Sequence, residues 1–318
     1  MTSSAFSRLD DLNRRIHAVD HAISILGADE ATHMAPGGGE DRAVSLATLS
    51  GMRHRMATAP EVADWIGEAE TEALSEEQAA ALGEFRRVHL NMTCLPAEFV
   101  ERQTHARLRC EQLWRDMRAR NDWAGFAPAL EGVVALVREE AALRAEALGL
   151  APYDALMEQY DPGARVAEIA PLLDDLGTFL TGFVPQALAA QERRLAGRPP
   201  VSLTGSYPVE KQRDLALSMM AALGFDLTHG SLSVSHHPFC GGVPSDVRIT
   251  TRYRTDEFLS ALMGVLHETG HALYEQNLPR EWAHWPLGQA RGMAIHESQS
   301  LFVEKQIGRN PAFWRWAL

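Results

Sequence analysis

His267-Glu268-Thr269-Gly270-His271 is the segment of this sequence whose residue types and spacing most directly allow chemistry. On a helix of 3.6 residues per turn, two histidines four positions apart lie about 40° from each other and one turn apart, so both imidazoles reach a single ion. Glu268 projects beside them, where it can take a proton from a metal-bound water. With 13 histidines and 42 acidic residues in 318, chance produces such an arrangement in roughly 7 of 100 chains. The pentapeptide therefore needs a third ligand before it defines a site.

A catalytic zinc takes three protein ligands and keeps a fourth position open for water. Glu297 is the candidate for the third. It stands in the next helical segment, and Ala290, Met293, Ala294 and Leu301 share its face at helical spacing. A carboxylate among apolar neighbours needs a partner. The bland alternative is an Arg partner for Glu297 and a pair of satisfied core histidines. Gly270 in mid-helix costs about 1 kcal/mol relative to Ala, which implies close approach there, by another helix or by substrate.

These residues must be positioned by regular elements. Helical periodicity starts at Thr255, a cap followed by Asp256 and Glu257 in the first turn, and predicts a helix to about Asn277. A last helix is expected from about Gln289 to near Gly308. Just upstream of the first, residues 231–236 and 246–253 alternate as strands of a small sheet. The second places Val247, Ile249, Thr251 and Tyr253 on one face and Arg248, Thr250 and Arg252 on the other. Its edge is a candidate for pairing with an extended peptide, and the alternative is an ordinary amphipathic strand. Arg248 and Thr250 then either touch substrate or face solvent.

The remainder reads as helices. Leu9, Leu12, Ile16, Val19, Ile23 and Leu26 form one stripe, closed by Gly27, on a helix that packs on the protein's own body or on a twin subunit. The Gly-rich segment 35–42 meets neither phosphate-loop pattern and is expected to be a loop. Ser75 with Gln78 forms a capping box, Pro96 opens a long helix, and Asn121-Asp122, Gly163, Pro199-Pro200 and Gly224 punctuate the rest.

Thirty basic against 42 acidic residues give a net charge of −12, and no basic run of five interrupts the chain, which excludes an electrostatic nucleic-acid footprint. The first fifteen residues carry charges where a signal peptide has an apolar core, and no stretch approaches a membrane span. A cytoplasmic protein with no membrane partner is expected. Cys94, Cys110 and Cys240 are odd in number and lack CxxC spacing, so buried free thiols are expected.

In order along the chain stand His237-Pro238-Phe239, Asp246-Val247-Arg248-Ile249-Thr250, His267 to His271, and His296-Glu297-Ser298-Gln299 followed by an aromatic-containing segment ending near Trp314. This series resembles the motifs of the carboxypeptidase Taq family of zinc-dependent metallocarboxypeptidases. Segments 36–51 and 158–163 are also similar, so the resemblance covers essentially the whole chain. It implies a mainly α, large helical, cleft-containing zincin fold with a small sheet beside the metal helix. The expected organisation is a single mainly helical catalytic domain over 1–318, with the sheet at about 201–253 and the metal-site helices at about 255–308. The resemblance further implies one divalent ion per subunit, Zn2+ with Co2+ as the other candidate, on His267, His271 and Glu297. Glu268 would be the general base and acid, and His237, Arg248, Thr250, His296 and Gln299 would bind substrate or support the site. Peptide substrates would lose their C-terminal residue, and the protein would be a homodimer.

Two departures from the pattern matter. Many glutamate-zincins place an Asp four residues after the third ligand to hold a ligand His; Leu301 stands there, so that support must come from elsewhere. Family chains also continue through Ile-Arg-x-x-Ala-Asp and Gly-x-x-Gln-Asp-x-His-Trp motifs, which the resemblance implies serve the substrate's terminal carboxylate and the tetrahedral intermediate. Neither is in these 318 residues, so the expectation is a chain truncated at its C-terminus with little carboxypeptidase activity. Two rivals remain: a zinc oligopeptidase or endopeptidase, because the ligand triad does not select one end of a peptide, and a metal-binding helical fragment without turnover.

Overall fold

A computed structural model describes residues 3–197, 203, 205–235 and 237–317. The Pro199-Pro200 break and His236, the last residue of the first expected strand, lie outside the described residues. The chain divides into two compact units, Met1–Phe85 with Ala187–Leu318, and Arg86–Gln186. In chain order the helices are α1 (Ala5–Thr32), α2 (Gly39–Ala57), α3 (Pro60–Ala69), α4 (Glu76–Thr93), α5 (Ala97–Arg120), α6 (Trp123–Leu148), α7 (Pro152–Met157), α8 (Val166–Leu195) and α9 (Val209–Ala222). Strands β1 (Gly230–Val234), β2 (Cys240–Val243) and β3 (Asp246–Thr251) follow, then α10 (Leu259–Gln276), α11 (Met293–Leu301) and α12 (Pro311–Ala317). Among the described residues, no helix is long and apolar enough to cross a membrane.

In the first unit, Phe6 and Leu9 of α1 pack with Val62 and Ile66 of α3 and Leu82 and Phe85 of α4. The first part of the α1 stripe, Leu9 with Leu12 beside it, thus packs on the chain's own body. Gly27 does not end α1, which runs on to Thr32. The reason is tertiary: Arg42 donates to the Leu26 carbonyl at 2.5 Å and to Asp29 at 2.5 Å, tying the last turns of α1 to α2. The Gly-rich segment is accordingly not a plain loop but a 3-10 turn (Pro36–Gly38) that runs into α2, whose first turn carries Glu40 and Asp41.

The sheet has the order β1-β3-β2, with β1 parallel and β2 antiparallel to β3. It is narrower than expected, because α9 occupies much of 201–253. Two further expectations fail here. β3 is central and bonded on both sides, so it has no free edge, and the edges belong to β1 and to β2, whose Cys-Gly-Gly-Val sequence carries no alternation signal. Gly242 permits that turn: its φ is +85°, and a Cβ there would lie 2.1 Å from the Asp246 carbonyl oxygen. Thr250 is fully buried rather than facing solvent, because Ser235 and Phe239 pack and hydrogen-bond onto it.

Val265 and Ala272 of α10 pack with Leu232, Val247 and Ile249 of the sheet and Ala216 and Met220 of α9, while Leu262 and Leu266 meet Met219, Val303 and Phe313. The helix starts three residues later than expected: Phe258, not Thr255, is its cap, and the Glu257 carboxylate accepts from the Ser260 N–H at 2.6 Å. The last helix likewise begins at Met293, not Gln289, and its second half, Phe302–Ile307, is π-helical.

In the second unit, buried Glu140 of α6 accepts from Gln103 of α5 at 2.6 Å and from Arg144 at 2.8 Å, and Arg144 donates to the Asn91 carbonyl of α4. Glu158 accepts from Gly163 N–H and Arg165, so segment 158–163 is a structural turn. The expected caps are present: Ser75 and Gln78 bond reciprocally, Asn121 ends α5 at φ +53°, and Asp122 accepts from Gly125 N–H.

Candidate metal centre

α10 presents His267 and His271 one turn apart while its opposite residues fill the core, which is why both imidazoles emerge on the side that α11 covers. Gly270 sets the distance between the two helices. A Cβ there would stand 2.4 Å from the Gln299 carbonyl oxygen and 2.5 Å from Ser300 Cα. The close approach implied by the glycine is therefore that of a helix. Ser300, fully buried, caps the contact by donating to the Glu297 carbonyl at 2.7 Å.

This packing brings the Glu297 carboxylate to the histidine pair. Its Oε2 lies 3.3 Å from His271 Nε2 and 3.8 Å from His267 Nε2, and one ligand atom from each residue falls within 4.8 Å of the others. Ligands about 2.1 Å from a tetrahedral ion are separated by about 3.4 Å, so the donor set fits a zinc-type ion in both chemistry and spacing. Both Nδ1 atoms face away from this point: that of His267 meets Glu304 Oε2 at 3.1 Å, and that of His271 meets His296 Nδ1 at 2.6 Å. Burial, followed by the charges of His296 and His267, pushes His271 down to about 4, so its imidazole is neutral and free to ligate near pH 7. One expectation is overturned: Glu297 is not buried among apolar neighbours. Its side chain is 49% exposed, and Met293 and Leu301 are exposed as well, because α11 is fastened to α10 through Ser300 and not through that face.

Glu268 is buried beneath β2. Burial raises its pKa, with the Glu297 charge adding to the effect, while His267 and a hydrogen bond from the Cys240 N–H oppose it. The nearby Cys240 thiol is pushed far up, by burial first and then by the charges of Glu275 and Glu268, which keeps it protonated and out of metal chemistry.

The other expected site residues divide. His296 joins the cluster, bridging His271 and Glu275 Oε1, the latter at 2.7 Å from its Nε2. Thr250 is held in a buried hydrogen-bond network: its Oγ1 accepts from Phe239 N–H at 2.9 Å and donates to Ser235 Oγ at 2.7 Å, and the Ser235 hydroxyl donates to the His237 carbonyl at 2.6 Å. The side chain of His237 itself is exposed. Arg248 is bound to Asp246 on its own strand at 2.8 Å. Gln299 is exposed, with its side chain on Ser298, so its contribution is the backbone contact at Gly270. Glu304 and Glu275 were missed by sequence reasoning, although each had a signal: Glu304 follows Glu297 by seven residues and Glu275 follows His271 by four, spacings that bring two residues to the same helix face.

A small sheet laid on a His-Glu-x-x-His helix, with a carboxylate from the next helix closing the triad, is the construction of a glutamate-zincin. The family model described as "Carboxypeptidase Taq (M32) metallopeptidase" matches residues 8–318, and the chain belongs to that family. It is 36% identical to thermostable carboxypeptidase 1 of Thermus thermophilus, covering 98% of this chain and 62% of the relative, and 31% identical to carboxypeptidase 1 of Bacillus subtilis, covering 96% and 60%. Among solved structures, metallocarboxypeptidase 1 of Trypanosoma cruzi is similar with a TM-score of 0.92 and 38% identity, covering 97% of this chain and 62% of that one. The M32 carboxypeptidase of Deinococcus radiodurans is similar with a TM-score of 0.87 and 30% identity over 98% and 61%. The chain thus spans about three-fifths of the length of these relatives.

Proposed function

We propose that this chain carries the metal centre of a peptidase that hydrolyses the C-terminal bond of peptides, with His267, His271 and Glu297 holding one Zn2+ and Glu268 acting as general base and acid. The observation that carries this reading is the convergence of two Nε2 atoms on Glu297 Oε2 next to a buried Glu268. When bound, such an ion lowers the pKa of water and polarises a carbonyl. Glu268 then takes the proton of the attacking water and returns it to the leaving amine nitrogen. The Cys240 backbone favours the charged form of Glu268, and the free edge of β2 beside it would take extended substrate backbone. Three unpaired thiols support a reducing, cytoplasmic setting, and the homodimer rests on the family resemblance.

Elemental analysis tests the ligand set. The parent is expected to hold about one zinc per chain, and His267→Ala, His271→Ala and Glu297→Ala each to lose it; full occupancy in Glu297→Ala removes the third ligand. A peptide pair with a free or an amidated C-terminus tests the reaction. Equal cleavage of the two would favour the endopeptidase.

A further inference from the structure

A histidine that ligates through Nε2 needs its Nδ1 proton held, or the ring turns and the wrong tautomer competes. At Leu301, where an Asp could do this, the side chain is aliphatic and exposed. The chain carries two other carboxylates to the task by different routes. After Leu301 the helix continues as a π-helical segment, Phe302–Ile307, and this brings in Glu304, whose side chain is only 13% exposed. Glu304 Oε2 lies 3.1 Å from His267 Nδ1, while Oε1 accepts from Lys305 and from Arg309. A carboxylate held by two cations accepts only, so His267 carries its proton on Nδ1 and turns the Nε2 lone pair toward Glu297.

The second route is indirect. Glu275, one turn beyond His271, accepts at 2.7 Å from His296 Nε2, so that nitrogen bears the proton. An imidazole that ligates through Nε2 carries its proton on Nδ1, and at His271 that atom lies 2.6 Å from His296 Nδ1, which is placed to accept it while the His296 proton sits on Nε2 toward Glu275. The ring of Tyr274 stands edge-on to His296, 5.3 Å between centroids, and limits its rotation. In that arrangement every contact of the chain Glu275, His296, His271 is paired, and it too leaves Nε2 bare toward Glu297.

We propose that Glu304, and Glu275 acting through His296, are positioning residues that fix the Nδ1–H tautomer of His267 and His271 respectively. The inference rests on the ligand set proposed above. Its first test needs no metal. Long-range nitrogen–proton NMR of the metal-free parent should show His267 and His271 as Nδ1–H tautomers and His296 as Nε2–H; an Nε2–H tautomer at either ligand overturns the proposal, whatever the variants do. The second test is zinc affinity by chelator competition. Glu304→Gln and Glu275→Gln keep side-chain size and should each weaken binding by about 10- to 100-fold, with the folded-state circular dichroism unchanged and with Glu304→Asp recovering part of the loss. Affinities within twofold of the parent in both Gln variants overturn the positioning roles alone. A parent that binds no stoichiometric zinc overturns the ligand set, and this inference with it.

Discussion

Glu268 combines three conditions in one side chain: it is buried, the Cys240 backbone favours its charged form, and it neighbours both His267 and the Glu297 carboxylate. A carboxylate so placed has a high proton affinity without leaving hydrogen-bond reach of a reacting water, which is what a general base needs. Glu268→Gln preserves the shape and the acceptor oxygen but takes up no proton. We expect it to retain the ion and to lower peptide hydrolysis by at least about 100-fold, as measured by steady-state rates beside metal content. Rates equal to the parent's would remove Glu268 from the chemistry.

At the scale of elements, the metal centre depends on how closely α11 lies against α10. Gly270→Ala sets two effects against each other. Helix propensity gains about 1 kcal/mol, whereas a Cβ 2.4 Å from the Gln299 carbonyl oxygen meets backbone that cannot rotate away, and overpacking of this kind costs about 1–3 kcal/mol. The second effect wins. The variant should melt several degrees lower and bind zinc more weakly, since α11 carries Glu297 outward with it; an unchanged melting temperature and affinity would show that the helices have slack. A second junction ties α1 to the segment before α11: Asp10 accepts from His284 Nε2 at 2.7 Å and Trp285 Nε1 at 2.5 Å. Burial raises the Asp10 pKa, but the hydrogen bonds from Trp285, His284 and Arg14 outweigh it and hold it below 3.8. The sign follows directly: the carboxyl stabilises the fold above its unfolded value and loses that contribution as the pH falls through the lowered one. Thermal melts of the parent and Asp10→Asn should therefore differ most near neutrality and converge steadily below about pH 4.

For the molecule as a whole, α8 is the least satisfied element. It has no buried residue, and Leu172, Leu176, Phe179 and Phe183 lie exposed along it, with the two phenylalanine rings stacked 5.1 Å apart. An apolar stripe of this length favours association. Light scattering of the purified 318-residue chain is expected to show concentration-dependent self-association that a Phe179→Asp, Phe183→Asp double variant strongly reduces. A chain that stays monomeric at high concentration, with or without the substitutions, would refute this.

What could be read from the sequence is what short range determines. The His267–His271 spacing, the Ser75–Gln78 box and the Asn121-Asp122 break each depend on a few consecutive residues and on the helical repeat, and all stand as expected. Glu297 as a partner of the histidines was also legible, through its position on the next helix. Its exposure was not, because a face rich in Met and Leu says nothing about whether anything covers it. The same limit explains Thr250, which alternation put on the polar face and Ser235 and Phe239 bury, and β3, whose place in the middle of the sheet depends on a β2 with no strand signal. Glu304 and Glu275 had the right spacing, but only the packing of α11 and its π segment against α10 decided which of 42 acidic residues would meet a histidine. Periodicity within one element is encoded locally, whereas burial, register and the partner of each side chain depend on contacts between segments distant in sequence, which no single stretch of residues contains.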